Sequence, residues 1–160
     1  MSNQILKCSD ITAMQGETKT HFLNDNAVRV AKSLGDLTGM KGLGFHLIEV
    51  QPGRESTEYH SHQYEDECAY ILSGEATVTI GDEVHLVAEG DFIGYPSGTG
   101  AHTMKNTGRT TLVCIVAGQR LAHDIADYPH LNKRLYRNNG SSELVEYSDI
   151  TTVSGGKKTK

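Results

Sequence analysis

Apolar and polar residues alternate with a period of two along much of this chain, which is the pattern of half-buried strands. The cleanest case is residues 75 to 80, where Ala76, Val78 and Ile80 share one face and Thr77 and Thr79 the other. Gly81-Asp82 then makes a two-residue hairpin turn into Val84, Leu86 and Val87. Upstream, residues 44 to 50 read as a strand ended by Gln51-Pro52-Gly53, and residues 67 to 72 as another closed by Ser73-Gly74. Downstream, Gly90-Asp91 turns before residues 92 to 96, and residues 111 to 117 are almost wholly apolar, as a strand buried on both faces would be. At least six short strands follow one another, and no helical period of useful length appears before residue 121. The pattern predicts an all-β protein, either a sandwich, an up-and-down barrel or a jelly roll.

The ends differ from this middle. Residues 1 to 35 are mixed and polar and predict an N-terminal arm with a short strand over Ala27 to Val30. Residues 36 to 147 form the barrel with a short C-terminal extension, in which residues 121 to 137 accommodate a helical turn. Residues 148 to 160 are expected to be a disordered tail. A length of 160 residues favours one domain and buries enough surface to hold without disulfides.

Composition narrows the function classes. The 17 glycines fit a turn-rich β protein, and a net charge of −5 offers no basic face for nucleic acid. The one basic cluster, Lys157-Lys158-Thr159-Lys160, follows Gly155-Gly156 and reads as a frayed end. Cys8, Cys68 and Cys114 are odd in number and widely spaced, which argues against a disulfide framework and for a reducing compartment. No run approaches the ~18 apolar residues of a membrane span, and residues 1 to 10 lack the basic start and apolar core of a secretory signal. A cytoplasmic protein with neither membrane nor nucleic-acid partners is expected.

Histidine placement carries the chemistry. His60 and His62 are two apart, so on an extended strand their imidazoles project from one face. Glu67 stands at the entrance to the next strand and can return beside them after a tight turn. Asp66 is the alternative carboxylate, since Glu65-Asp66-Glu67 otherwise reads as a solvated acidic run. His102 follows Gly98-Thr99-Gly100 on a later strand. Three imidazoles and one carboxylate make a mixed nitrogen and oxygen site that suits Fe, Mn, Zn, Ni, Co or Cu as a divalent ion, and is too nitrogen-rich for Mg or Ca.

With these positions the chain resembles the cupins. Gly53, His60, His62, Glu67 and Gly74 follow the family's first motif, and Gly90, Pro96, Gly98, His102 and Asn106 its second. Two loop spacings depart by one residue each: six residues rather than five precede His60, and three rather than two precede His102. The likeness spans about residues 40 to 118. Beyond it, Gly118 to Leu121 and Asp127 to Arg137 resemble a group of small bacterial cupins with a single domain. The resemblance implies a jelly-roll β-barrel with the metal in its mouth, and a homodimer, which would also cover edge strands.

Four protein ligands leave coordination positions open, which suits a working site rather than a closed structural one. Strand parity from Glu67 and His102 turns Ala69, Ile71, Met104 and Asn106 inward, and His46, Tyr59, Tyr95 and Arg120 are further candidate contacts for a small-molecule ligand. His85 is expected to face solvent, and Cys68 to point away from Glu67 into core. No general base is evident beside the ligands, and the catalytic residues are not identified. The reading is a metal-dependent enzyme acting on a small polar molecule, by oxygenation or by sugar or sugar-phosphate isomerisation. Isomerisation of a phosphate ester would need a cationic clamp, for which Arg54, Arg120, Arg134 and Arg137 are available. The alternative is a cupin that binds a small molecule or sugar without turning it over.

Overall fold

The alternation read at residues 75 to 80 is one strand of a jelly-roll barrel. A computed structural model describes residues 4–156. A short helix α1 (Cys8–Ala13) leads into β1 (Glu17–His21) and β2 (Asn24–Lys32), then α2 (Leu34–Thr38) and β3 (Leu43–Val50). β4 (Ser61–His62), β5 (Glu67–Ser73), β6 (Glu75–Ile80), β7 (Glu83–Ala88), β8 (Phe92–Tyr95), β9 (His102–Lys105) and β10 (Leu112–Gln119) complete the two motif regions. β11 (His123–Tyr128), β12 (Lys133–Asn138) and β13 (Ser141–Glu146) follow. No helix among the described residues is long and apolar enough to cross a membrane. The cluster at residues 157 to 160 and the first three residues lie outside the described residues.

The strands pair antiparallel in three sheets, ordered β1-β2-β3-β10-β5-β8, β13-β12-β11-β4 and β7-β6-β9. Inward-facing Val50, Ile71, Ala76, Val78, Leu112 and Cys114 make the closed end of the barrel, and Ile48 and Ala69 pack on them from the cavity side. Burying them supplies the hydrophobic driving force and leaves the other end for polar residues. Gly74 links β5 to β6 at φ +92, and a Cβ there would stand 3.0 Å from both the Leu112 Cα and the Thr111 carbonyl oxygen, so only glycine lets the hairpin cross β10.

Three sequence expectations change in detail. The strand expected over residues 27 to 30 runs over Asn24–Lys32 and is preceded by β1, so residues 17 to 32 extend the large sheet. Its apolar pattern is broken by Arg29, which sits between the buried Ala27 and Ala31 on the inward face. In residues 121 to 137 the helical turn is confined to a 3-10 turn at Pro129–Leu131, and strands fill the rest. Cys68 is not core: it lies half-buried on the outer face of β5 beside exposed Tyr70 and Leu72, because Ala69 and Ile71 take the inward positions. Register continues that outer face as Leu47, Ile115, Tyr70 and Phe92 across four strands.

Candidate metal centre

Backbone pairing assembles the four histidine and glutamate positions. His60 and His102 exchange reciprocal hydrogen bonds, His60 N to the His102 carbonyl at 3.1 Å and His102 N to the His60 carbonyl at 2.7 Å. The Gly98 amide donates to the His62 carbonyl at 2.8 Å, which ties the loop before β9 to β4. Glu67 opens β5 opposite Tyr95 on β8, and the Tyr95 ring stacks on His102 at 3.7 Å between centroids.

Three of the four positions form one mutually close group, and His102 joins it through Glu67. His60, His62 and Glu67 offer donor atoms that all lie within 4.8 Å of one another, a group that could hold a metal ion. Glu67 Oε2 stands 3.8 Å from His60 Nε2, 3.8 Å from His62 Nε2 and 3.5 Å from His102 Nε2. His60 Nε2 and His62 Nε2 are 3.1 Å apart. Two donors each ~2.1 Å from a common ion at tetrahedral or octahedral angles are ~3.0 to 3.4 Å apart, so the imidazole pair matches and the carboxylate contacts are a few tenths of an ångström longer.

The tautomers make the case stronger. His60 Nδ1 donates to the Glu58 carbonyl at 2.8 Å, and His62 Nδ1 donates to Asp124 Oδ2 at 2.6 Å. A carbonyl and a carboxylate accept only, so each Nδ1 carries a hydrogen, and in the neutral form of each ring the bare Nε2 lone pair is turned to the other. Burial pushes the His60 imidazole down to about 4, so it stays neutral. Two lone pairs at that separation repel unless a cation lies between them. His102 Nε2 is buried and without a hydrogen-bond partner among the described residues, an orphan that coordination would satisfy. Burial pushes the Glu67 carboxyl up, but the three imidazoles facing it win and hold it below its usual range, so it is the anion of the set. Of the acidic run, Asp66 turns away to accept from the Ser97 amide at 2.8 Å.

Behind His62 lies a network that sequence spacing did not reveal. Asp124 on β11 is almost fully buried and accepts from His62 Nδ1, from the Tyr64 amide at 3.1 Å and from Arg137 Nη2 at 3.1 Å. Arg137 also donates to Glu65 Oε2 at 2.5 Å, and Glu65 Oε1 accepts from the Leu121 amide at 2.6 Å. Glu65 is therefore buried, not part of a solvated run. The signal was unreadable locally because Asp124 is 62 residues from His62 in sequence.

The four candidate ligands line a cavity of about 460 Å³ that also receives His46, Tyr95, Met104 and Arg120 among the expected contacts. Two expected contacts stand outside it. Asn106 is fully buried and its carboxamide is spent on the Val50 and Thr110 carbonyls and the Gly108 amide, a structural pin for the chain after β9. Tyr59 donates to the Gly81 carbonyl at 3.0 Å and stacks on His130. Ile71 packs in the closed end of the barrel, while Ala69 reaches the cavity wall. His85 is exposed beside Glu83, as expected. Of the four candidate clamp arginines, Arg120 and Arg137 line the cavity; Arg134 is held by Asp127 and Arg54 lies exposed against Asp25 and Asn26. Lys19, His21 and Arg29 of the N-terminal strands line it too, which the sequence reading did not foresee.

His46 takes a defined tautomer. Arg120 Nη2 donates to His46 Nε2 at 3.4 Å, and Nδ1 meets Ser33 Oγ at 3.0 Å, so Nε2 is the unprotonated nitrogen. Burial, then the Arg120 charge, lowers its affinity for a proton below that of an ordinary imidazole. Gly44 makes room for the pair, since a Cβ there would stand 3.1 Å from both Arg120 Nε and His46 Nε2.

Comparison with known proteins agrees with this architecture. Residues 46–118 match the Cupin domain family. A crystal structure from Acidithiobacillus ferrooxidans, named "Putative sugar phosphate isomerase", is 51% identical, with coverage of 95% of this chain and 97% of that one and a TM-score of 0.92. A second, named as a sugar phosphate isomerase from a cupin superfamily, comes from Silicibacter pomeroyi; at 21% identity, 91% and 96% coverage and a TM-score of 0.78 it supports the fold alone. No curated protein matches. The family match falls on the strands that carry His60, His62, Glu67 and His102, the relative in Acidithiobacillus extends the likeness to nearly the whole chain, and the chain belongs to the cupin superfamily.

Proposed function

We propose that this protein is a metal-dependent enzyme that isomerises a small sugar phosphate between its aldose and ketose forms. The observation that carries the reading is the pair of imidazole Nε2 atoms 3.1 Å apart, with Glu67 beside them, in the wall of a cavity of about 460 Å³. His60, His62, Glu67 and His102 would hold one divalent transition metal. When bound, such an ion supplies Lewis-acid polarisation of a substrate carbonyl or hydroxyl.

The remaining work falls to the chain's own groups. Isomerisation moves one proton from the hydroxyl-bearing carbon to the neighbouring carbonyl carbon and one between the two oxygens, so no oxidant or reductant is required. His46 is the candidate base, because its Nε2 is unprotonated, lines the cavity and stays neutral near pH 7. Arg120, fixed by its ion pair with Asp36, orients that ring. The name carried by the 51% identical relative points to the same chemistry.

The test is a panel of aldose and ketose phosphates incubated in D2O with metal-loaded protein and followed by NMR. The proposal expects interconversion with deuterium incorporation at the exchanging carbon, abolished by chelation and reduced by His46→Gln. Tight binding without exchange would make the protein a binder, and oxygen consumption without exchange would make it an oxygenase; either result overturns the proposal.

A further inference from the structure

The structure assigns an anion-binding subsite for the phosphate monoester of the substrate to Lys19 and Arg29, on the paired strands β1 and β2. It rests on the sugar-phosphate reading above and names the part of the cavity that would select the phosphate.

Lys19 and Arg29 are direct partners in the antiparallel register of β1 and β2, and both line the cavity shared with the metal ligands. Like charges directly opposite on one face of a sheet are destabilising, so folding alone gives no reason for the pair. Arg29 is the odder residue. It occupies the inward register of β2, between Ala27 and Ala31, at 0% and 5% exposure. A cation at a core-facing position is ordinarily neutralised by a buried carboxylate. Arg29 makes no ion pair among the described residues: it feels the charge of Glu67 only at longer range, and its guanidinium donates to the Ser56 carbonyl. One carbonyl leaves most of the five guanidinium N–H donors for a ligand in the cavity.

The other arginines of the cavity do not offer this. Arg120 is engaged by Asp36, and Arg137 by Glu65 and Asp124. Among the described residues Lys19 pairs with Glu17 at 3.2 Å on the exposed edge of β1, a pair of the kind that contributes little. Arg29 supplies a planar fork that matches phosphate oxygens, and Lys19 a mobile point charge that can close over them. Glu67 is turned to the imidazoles, at 3.5 to 3.8 Å from their Nε2 atoms, and does not close an ion pair with Arg29.

The experiment measures binding, not turnover, and so is independent of whether isomerisation occurs. Metal-loaded protein is titrated calorimetrically with glycerol 3-phosphate, glycerol and gluconate. The subsite predicts binding of the phosphate ester well above both others, weakened about 10- to 100-fold in Lys19→Met and in Arg29→Met, with Arg29→Lys retaining part of the affinity. Lys19 is on the exposed edge, so its variant keeps the fold if Arg29→Met does not. Phosphate affinity unchanged in Lys19→Met and Arg29→Lys, no binding by the wild type, or gluconate binding as tightly as the phosphate ester would each overturn the assignment. Loss of phosphate binding in the variants of a protein that shows no isomerase activity would keep the subsite and discard the reaction.

Discussion

Replacing Asp124 by Asn tests whether the buried network behind His62 sets the metal site. Asp124 Oδ2 accepts from His62 Nδ1 at 2.6 Å and from Arg137 Nη2 at 3.1 Å, while Oδ1 accepts from the Tyr64 amide at 3.1 Å. Both oxygens therefore face donors. An asparagine has one acceptor and one donor group, so in either amide orientation an N–H2 confronts an N–H. If it confronts His62, the imidazole is driven towards the other tautomer, with hydrogen on Nε2 and the lone pair withdrawn from the metal. Loss of a carboxylate partner of a ligating histidine typically lowers metal affinity about 10- to 100-fold, which is ~1.4 to 2.7 kcal/mol. Competition of Zn(II) against a chromophoric chelator reads this directly, with circular dichroism to confirm that the variant keeps its strands. An affinity within threefold of wild type in a folded Asp124→Asn protein would refute the claim that Asp124 fixes the His62 tautomer.

Other consequences are measurable without substrate. His46 holds its proton less tightly when folded than the ordinary value of 6.5, so the unfolded chain binds more protons as pH falls below that value. This contribution to stability is present above pH ~6.5 and lost as pH falls towards the folded value. The stability difference between pH 7.5 and 5.5 should be smaller in His46→Gln; an equal difference in chemical denaturation would contradict it. Gly74→Ala puts a Cβ 3.0 Å from the backbone of β10 at φ +92 and should cost ~1 to 3 kcal/mol, whereas a neutral effect on denaturation would show that the hairpin shifts freely. The homodimer expected from the sequence predicts twice 17.4 kDa by light scattering; it would cover the outer face bearing exposed Tyr70, Leu72 and Phe92, and a 17.4 kDa species would count against it.

What the sequence disclosed follows the range of its signals. Alternation and turn residues located β3 and the strands from β5 to β8, and a continuous apolar run located β10, because each is written in a local apolar pattern. The HxH pair, Glu67 and His102 were legible because strand parity and two motifs fix their direction. Of β2 only the middle was expected; its full length escaped because Arg29 stands where an apolar residue would mark the inward face, and that exception is itself a feature of the cavity. Asp124, Glu65 and Arg137 escaped because a buried charge network is made by tertiary register between distant segments, and a carboxylate in sequence looks the same solvated or buried. Asn106 was misplaced by parity alone: it does point inward, but backbone carbonyls consume its carboxamide before the cavity is reached.

Elemental mass spectrometry on protein purified without chelators or nickel resin, alongside His62→Ala and His102→Ala, tests the metal centre most directly. The account predicts close to one transition-metal ion per chain in the wild type and a loss of most of it in both folded variants. A wild-type protein that carries no transition metal and takes none up on titration, or variants that retain the full complement, would contradict it.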